Sequence, residues 1–276
     1  MIDPRTSIIA KRTEHIGRIV VFAGGKGGVG KSACSVVTAL HLARSGKRVG
    51  LFDADFTGAS AHIFLGSDLG FPEEEHGVVP TDVGYGLRFM SAAAYTGERG
   101  FPLRGKESTD VFLELFAITR WNELDYLILD MPPGLGDELL DVVRYLDKKE
   151  AVLVTIPSLI SARVVARLAR FFRDEEVPIA GLIENMVPGS DESGGGYQQH
   201  HGPELGQGLS HGRGCGGDAS PEYTRVVEGM NAPLISSVPF FADFEASIGN
   251  PETLLRSRFA AAIRPVAVAL EPDLDQ

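Results

Sequence analysis

Runs of β-branched and aromatic residues recur along the chain, separated by segments whose apolar positions repeat every three or four residues. Residues 18–23 (RIVVFA), 48–53 (RVGLFD), 87–91, 126–130 (YLILD), 151–156 (AVLVTI), 178–183 (PIAGLI) and 233–238 each fit a strand. They are continuous apolar runs rather than alternating ones, so both faces are expected to be covered, as in a parallel sheet with helices on each side. Residues 32–45 fit a helix closed by Gly46 as its C-terminal cap. Residues 161–176 keep the helical period most clearly. Val164, Val165, Leu168, Phe171 and Phe172 fall on one face, and Arg163, Arg167, Arg170 and Arg173 on another. A basic stripe opposite an apolar one is ordinarily a solvated face; a docking surface is the alternative. The expected fold class is α/β, a mostly parallel doubly wound sheet, in which ligands bind at the carboxyl ends of strands.

Residues 188–218 break this pattern, with 11 glycines in 31 residues, no periodicity and little to bury. Structureless stretches longer than about 15 residues are usually functional or disordered. There is no internal repeat and no second apolar core. Residues 1–276 are therefore expected to form a single domain with a Gly/His-rich loop at 188–218.

Composition narrows the partners. The chain has 26 basic and 37 acidic side chains, a formal net charge of −11, which argues against a protein built to coat nucleic acid. No apolar run approaches the roughly 18 residues that span a bilayer, and residues 1–18 lack the apolar core of a signal peptide. Residues 271–276 close on acidic side chains that anionic lipid would repel. A cytoplasmic protein is expected, with no membrane and no nucleic-acid partner. The two cysteines, Cys34 and Cys215, exclude a disulfide-stapled scaffold and a four-cysteine zinc site within one chain, although two chains could share a metal.

The segment Gly25-Lys26-Gly27-Gly28-Val29-Gly30-Lys31-Ser32 fits G-x-x-x-x-G-K-S between an expected strand and an expected helix. Glycines let the backbone curl so that successive N–H groups point at phosphate oxygens, and the helix opening at Ser32 and Ala33 adds the positive end of its dipole. Lys31 supplies a cation to the β- and γ-phosphates. Ser32 offers a hydroxyl to Mg²⁺, which prefers oxygen ligands. Asp53 and Asp55 close one expected strand and Asp130 another. A lone aspartate at a strand end often caps the next helix. At matching strand ends beside a phosphate loop, such carboxylates hold a metal's waters and orient an attacking water.

The residues GGKGGVGKS (24–32) resemble the deviant phosphate loop of the MinD/ParA/nitrogenase-iron-protein class. DADFTGAS (53–60), WNELDYLILDMPPGLGDE (121–138) and GLIENM (181–186) are similar to the Mrp/ApbC family of iron–sulfur cluster carrier ATPases, and Arg104-Gly105 sits where that family has an Arg-Gly before its helix. The similarity runs over roughly residues 17–245. It implies a homodimer that binds ATP and Mg²⁺ and hydrolyses ATP slowly, in iron–sulfur cluster or metal-centre assembly for a client the sequence does not name. Carried over residue by residue, it makes Lys26 a cation that reaches across the dimer to the partner's nucleotide, in the manner of an arginine finger. Lys31 joins it, and Asp55 positions the hydrolytic water. Asp53 and Asp130 organise Mg²⁺ through water. Residues 134–137 form a second switch whose Gly134 approaches the γ-phosphate. Asn185 matches the asparagine that bonds the adenine edge.

One departure matters. The family carries Cys-Pro-x-Cys soon after ENM, and here that place reads Val187-Pro188-Gly189-Ser190-Asp191. The nearby thiol is Cys215, which shares the glycine-rich stretch with His200, His201 and His211. Thiolate and imidazole suit zinc, iron or nickel, and three residues between His211 and Cys215 leave a workable chelating spacing. These four side chains are expected to hold a transition metal or labile cluster, or else to be a solvated polar loop. Cys34 is expected to be core packing. Two rival readings remain open. A MinD/ParA-like spatial organiser needs a basic amphipathic helix or basic surface, for which only the arginine stripe speaks. A regulatory ATPase without a cluster needs nothing more. A kinase fits less well, because no acceptor site stands out.

Overall fold

In the computed structural model the described residues are 3–67, 73–91, 93–96, 106–188 and 220–271. Eight strands form one sheet: β1 (Ile16–Gly24), β2 (Val49–Asp53), β3 (Thr81–Asp82), β4 (Leu87–Ser91), β5 (Leu124–Asp130), β6 (Lys149–Thr155), β7 (Ile179–Val187) and β8 (Leu234–Pro239). Their spatial order is β3-β4-β2-β5-β1-β6-β7-β8. Every pairing is parallel except the short β3–β4 pair. Ten α-helices are defined among the described residues: α1 (Arg5–Thr13), α2 (Lys31–Arg44), α3 (Ala61–Leu65), α4 (Ala93–Thr96), α5 (Lys106–Ile118), α6 (Asp137–Tyr145), α7 (Leu159–Asp174), α8 (Pro221–Glu228), α9 (Pro251–Arg256) and α10 (Arg258–Leu270).

The period-2 alternation of the central strand divides the core in two. Ile19, Val21 and Ala23 of β1 pack on one side with α1, α5, α6, α7 and α8, while Val20 and Phe22 pack on the other with α2, α3, α9 and α10. Both faces are thus covered, which is why the strands read as unbroken apolar runs. Cys34 lies fully buried in α2 among this second set, and burial pushes its thiol well above the ordinary range.

The structure differs from the sequence expectation in one place that bears on the site. β7 runs on past Ile183 to Val187, so Asn185 lies within the strand rather than after it. The polar pair Glu184-Asn185 sustains the strand because both side chains are buried and partnered, Glu184 by the Tyr223 hydroxyl and Asn185 by the Val29 carbonyl. The arginine stripe is solvated as expected, with Arg163, Arg167, Arg170 and Arg173 all exposed. Arg163 pairs with Glu222 of α8, and Arg173 donates to the Met230 carbonyl just beyond that helix.

Candidate functional site

β1 is central, with β5 and β2 to one side and β6 and β7 to the other. The chain leaves β1 at Gly24, curls through 25–30 and enters α2 at Lys31. That turn follows the carboxyl end of the central strand, at the point where the strand order changes direction.

Two close approaches fix the curl. Gly30 has φ +82°, and a methyl group there would lie 2.1 Å from Asn185 Nδ2. Only glycine satisfies both the left-handed backbone and the contact. At the other end of the loop, a methyl group on Gly25 would lie 2.8 Å from Val164 Cβ in the first turns of α7. Asn185 Nδ2 donates to the Val29 carbonyl at 2.9 Å. Gly134 donates its N–H to the Gly24 carbonyl at 2.9 Å, which ties the loop after β5 to the start of the phosphate loop.

The acidic strand ends meet beneath this loop. Asp53 and Asp130 are register partners on β2 and β5, and both are fully buried. Lys31, itself 7% exposed, forms an ion pair with Asp130 Oδ1, and its Nζ lies 3.5 Å from Ser32 Oγ. Asp130 Oδ2 is buried without a hydrogen-bond partner. Asp53 accepts backbone N–H groups from Asp55 at 3.1 Å, Ser60 at 3.0 Å and Ala61 at 3.1 Å. Burial pushes the Asp53 carboxyl up to about 7, and the charge of Asp130 adds to the rise; the N–H donors and Lys31 oppose it. An orphan carboxylate oxygen, a second buried carboxylate and the Ser32 hydroxyl form an oxygen-only donor set, which suits a hard divalent cation such as Mg²⁺.

Other expected residues lie further out. Asp55 is half-buried, and its Oδ1 accepts the Gly58 N–H at 2.8 Å and the Thr57 hydroxyl at 3.1 Å. Its carboxylate closes its own turn rather than joining the Asp53–Asp130 pair. Lys26, Gly27 and Gly28 are exposed at the tip of the loop. Val29 is buried, and Ala33 is buried in the first turn of α2. His200, His201, His211 and Cys215 lie outside the described residues, as does Arg104-Gly105. Among the described residues no group of three or more His, Cys, Asp or Glu side chains could hold a metal ion on its own.

A family model described as ParA, NUBPL iron-transfer P-loop NTPase, matches residues 15–211. That span holds the phosphate loop, both acidic strand ends and Asn185. The chain belongs to this ParA family of iron-transfer P-loop NTPases. Curated relatives of this P-loop NTPase include an iron-sulfur cluster carrier protein of Pseudomonas fragi, 37% identical over 178 residues, covering 63% of this chain and 61% of that protein. The protein of the same name from Escherichia coli strain K12 is 30% identical over 263 residues, covering 90% of this chain and 64% of the other. The chain thus spans less than two thirds of these relatives' own length. Among solved structures, a nucleotide-binding protein from Archaeoglobus fulgidus in complex with ADP superposes with a TM-score of 0.66 at 24% identity, over 97% of this chain and 94% of that one. The cell division ATPase MinD of Pyrococcus furiosus gives 0.62 at 19% identity, over 92% and 98%. Likeness at that identity establishes the α/β fold of the P-loop NTPase.

Three contributors to the site escape sequence reasoning. The N–H groups of Ser60 and Ala61 that hold Asp53 come from backbone, Val164 acts only by proximity to Gly25, and Tyr223 reaches Glu184 from 39 positions away. No side-chain type at those positions announces the role.

Proposed function

We propose that this chain is a Mg²⁺-dependent ATPase that works as a homodimer in the cytoplasm, as one domain over residues 1–276, in iron–sulfur cluster or metal-centre assembly for a client protein. The observation that carries the reading is the convergence of Lys31, Asp130 and Asp53 beneath the phosphate loop. A buried cation held on a buried carboxylate is poised for exchange, because an incoming phosphate can take Lys31 and free Asp130. Ser32, Asp53 and Asp130 are the oxygen ligands and water-holders for Mg²⁺. When bound, Mg²⁺ neutralises charge on phosphate oxygens. The backbone N–H groups of 25–32 and Ala33 hold the phosphates. Asp55 turns toward the attacking water once its loop closes, and Gly134 brings the second switch to the γ-phosphate. Asn185, seated on the loop, bonds the adenine edge. Lys26, exposed at the loop tip, adds charge to the partner subunit's nucleotide, so hydrolysis depends on the dimer.

The link to metal assembly is supported by family membership and by the relatives' names as iron-sulfur cluster carrier proteins. The cluster is cargo, and Cys215 with His211, His200 and His201 are the groups proposed to hold it or another transition metal. The sequence Val187-Pro188-Gly189-Ser190-Asp191, in place of the family's Cys-Pro-x-Cys, favours a second reading, a regulatory ATPase that carries no cluster. Phosphate release from Mg-ATP tests the enzymatic reading common to both. Wild type is expected to turn over with a specific activity that rises with protein concentration. Asp55→Ala should bind nucleotide but turn over at least about 100-fold more slowly. Equal turnover in the two proteins would refute the assignment of Asp55.

A further inference from the structure

The phosphate loop is gripped at each end by a dipeptide whose other member holds α8. At the Gly25 end, Val164 of α7 packs against the glycine, while its neighbour Arg163 pairs with Glu222. At the Gly30 end, Asn185 of β7 touches Gly30 and bonds Val29, while its neighbour Glu184 accepts the Tyr223 hydroxyl. Glu222 and Tyr223 are consecutive residues in the first turn of α8, which Ser220 caps by accepting the Tyr223 N–H at 3.2 Å.

The two links differ in weight. Arg163 and Glu222 are both more than half exposed, and such pairs contribute little. Glu184 and Tyr223 are each 4% exposed, where a hydroxyl-to-carboxylate bond is strong and its loss leaves a buried charged group underpartnered. Strand alternation adds a mechanical reason. Residues 184 and 185 project to opposite faces of β7, so any shift of the strand that moves Asn185 against the phosphate loop also moves Glu184 against α8. No part of the mechanism above uses Glu184 or Tyr223.

We propose that Tyr223 is a positioning residue for the phosphate loop, acting through Glu184 and Asn185, with Glu222–Arg163 as a weaker parallel link. Nucleotide on the loop and order in the first turn of α8 are then coupled in both directions. The proposal rests on the nucleotide-binding reading above.

Hydrogen exchange of the 222–228 amides, with and without Mg²⁺ and a slowly hydrolysed ATP analogue, tests it on the whole chain. In wild type, nucleotide should slow exchange in α8. Tyr223→Phe should weaken nucleotide binding by about three- to tenfold and abolish the nucleotide-dependent slowing. Glu184→Gln, which keeps an acceptor for the phenol, should retain it. A Tyr223→Phe protein that melts lower yet keeps wild-type affinity and wild-type slowing would show a merely structural role and overturn the proposal. So would wild-type protein that binds nucleotide while α8 exchange stays unchanged, a result that needs no variant to fold. Wild-type protein that binds no nucleotide at all would instead overturn the proposed function.

Discussion

Asp53 and Asp130 sit side by side as register partners at the carboxyl ends of β2 and β5, both fully buried. Burial and the neighbouring Asp130 charge both push the Asp53 carboxyl up, so a nearby cation relieves the pair. Lys31 is that cation, held on Asp130. Burying these charged groups together costs folding energy.

Lys31→Ala should therefore do two things. It should abolish nucleotide binding, because the phosphates lose their main cation. It should also destabilise the nucleotide-free protein by about 3 kcal/mol, because Asp130 becomes a buried unpaired charge. Adding Asp130→Asn should recover most of the stability and none of the binding. Urea titration of the single and double variants checks this, and a double variant no more stable than Lys31→Ala alone would count against it.

Gly30→Ala should fail locally. The left-handed backbone alone costs a non-glycine residue about 1–2 kcal/mol, and the new methyl group would meet Asn185 Nδ2 at 2.1 Å. Asn185 must leave Val29, so nucleotide affinity should fall together with the urea midpoint. An alanine variant that retains both would show that the loop is looser than its contacts indicate.

The strands, the phosphate loop and the acidic strand ends were legible because each is written locally, in apolar runs, in glycine spacing and in aspartates at run ends. The extension of β7 was not. Glu184 and Asn185 look like the polar start of a turn, and only partners 39 and 156 positions away make them strand residues. The basic stripe of α7 is exposed at all four positions, as its period predicts, but its links to the α8 region were not legible, because Glu222 and the Met230 carbonyl lie 59 and 57 positions away from Arg163 and Arg173. Helix α1 has too short an apolar patch to announce it, yet Ile9 is fully buried and Arg5 reaches Asp110 of α5 at 2.7 Å. The mismatch of Asp55 with the acidic pair was invisible because turn geometry, not spacing, aims its carboxylate.

His41 gives the fold a sensitivity to acid away from the site. Its Nε2 lies 2.8 Å from the Ala260 carbonyl, where the neutral ring donates from α2 to α10. Burial lowers its pKa; the carbonyl opposes the shift, and Arg264 and Arg44 add to it. The folded state thus refuses a proton that the unfolded chain accepts near the ordinary value of about 6.5. The stabilisation is present above that value and lost as pH falls through the depressed folded value. The thermal midpoint of wild type should drop more between pH 7.5 and 5.5 than that of His41→Gln. Parallel curves would contradict this.

Whether this P-loop NTPase carries metal decides between the two proposed readings. Anaerobic purification and reconstitution with iron and sulfide, followed by metal analysis and visible spectroscopy with and without ATP, asks this directly. The prediction is bound iron with a charge-transfer absorption that changes on ATP addition and is lost in Cys215→Ser. Protein that retains no iron after reconstitution, with Cys215→Ser indistinguishable from wild type, would contradict it and leave a regulatory ATPase in its place.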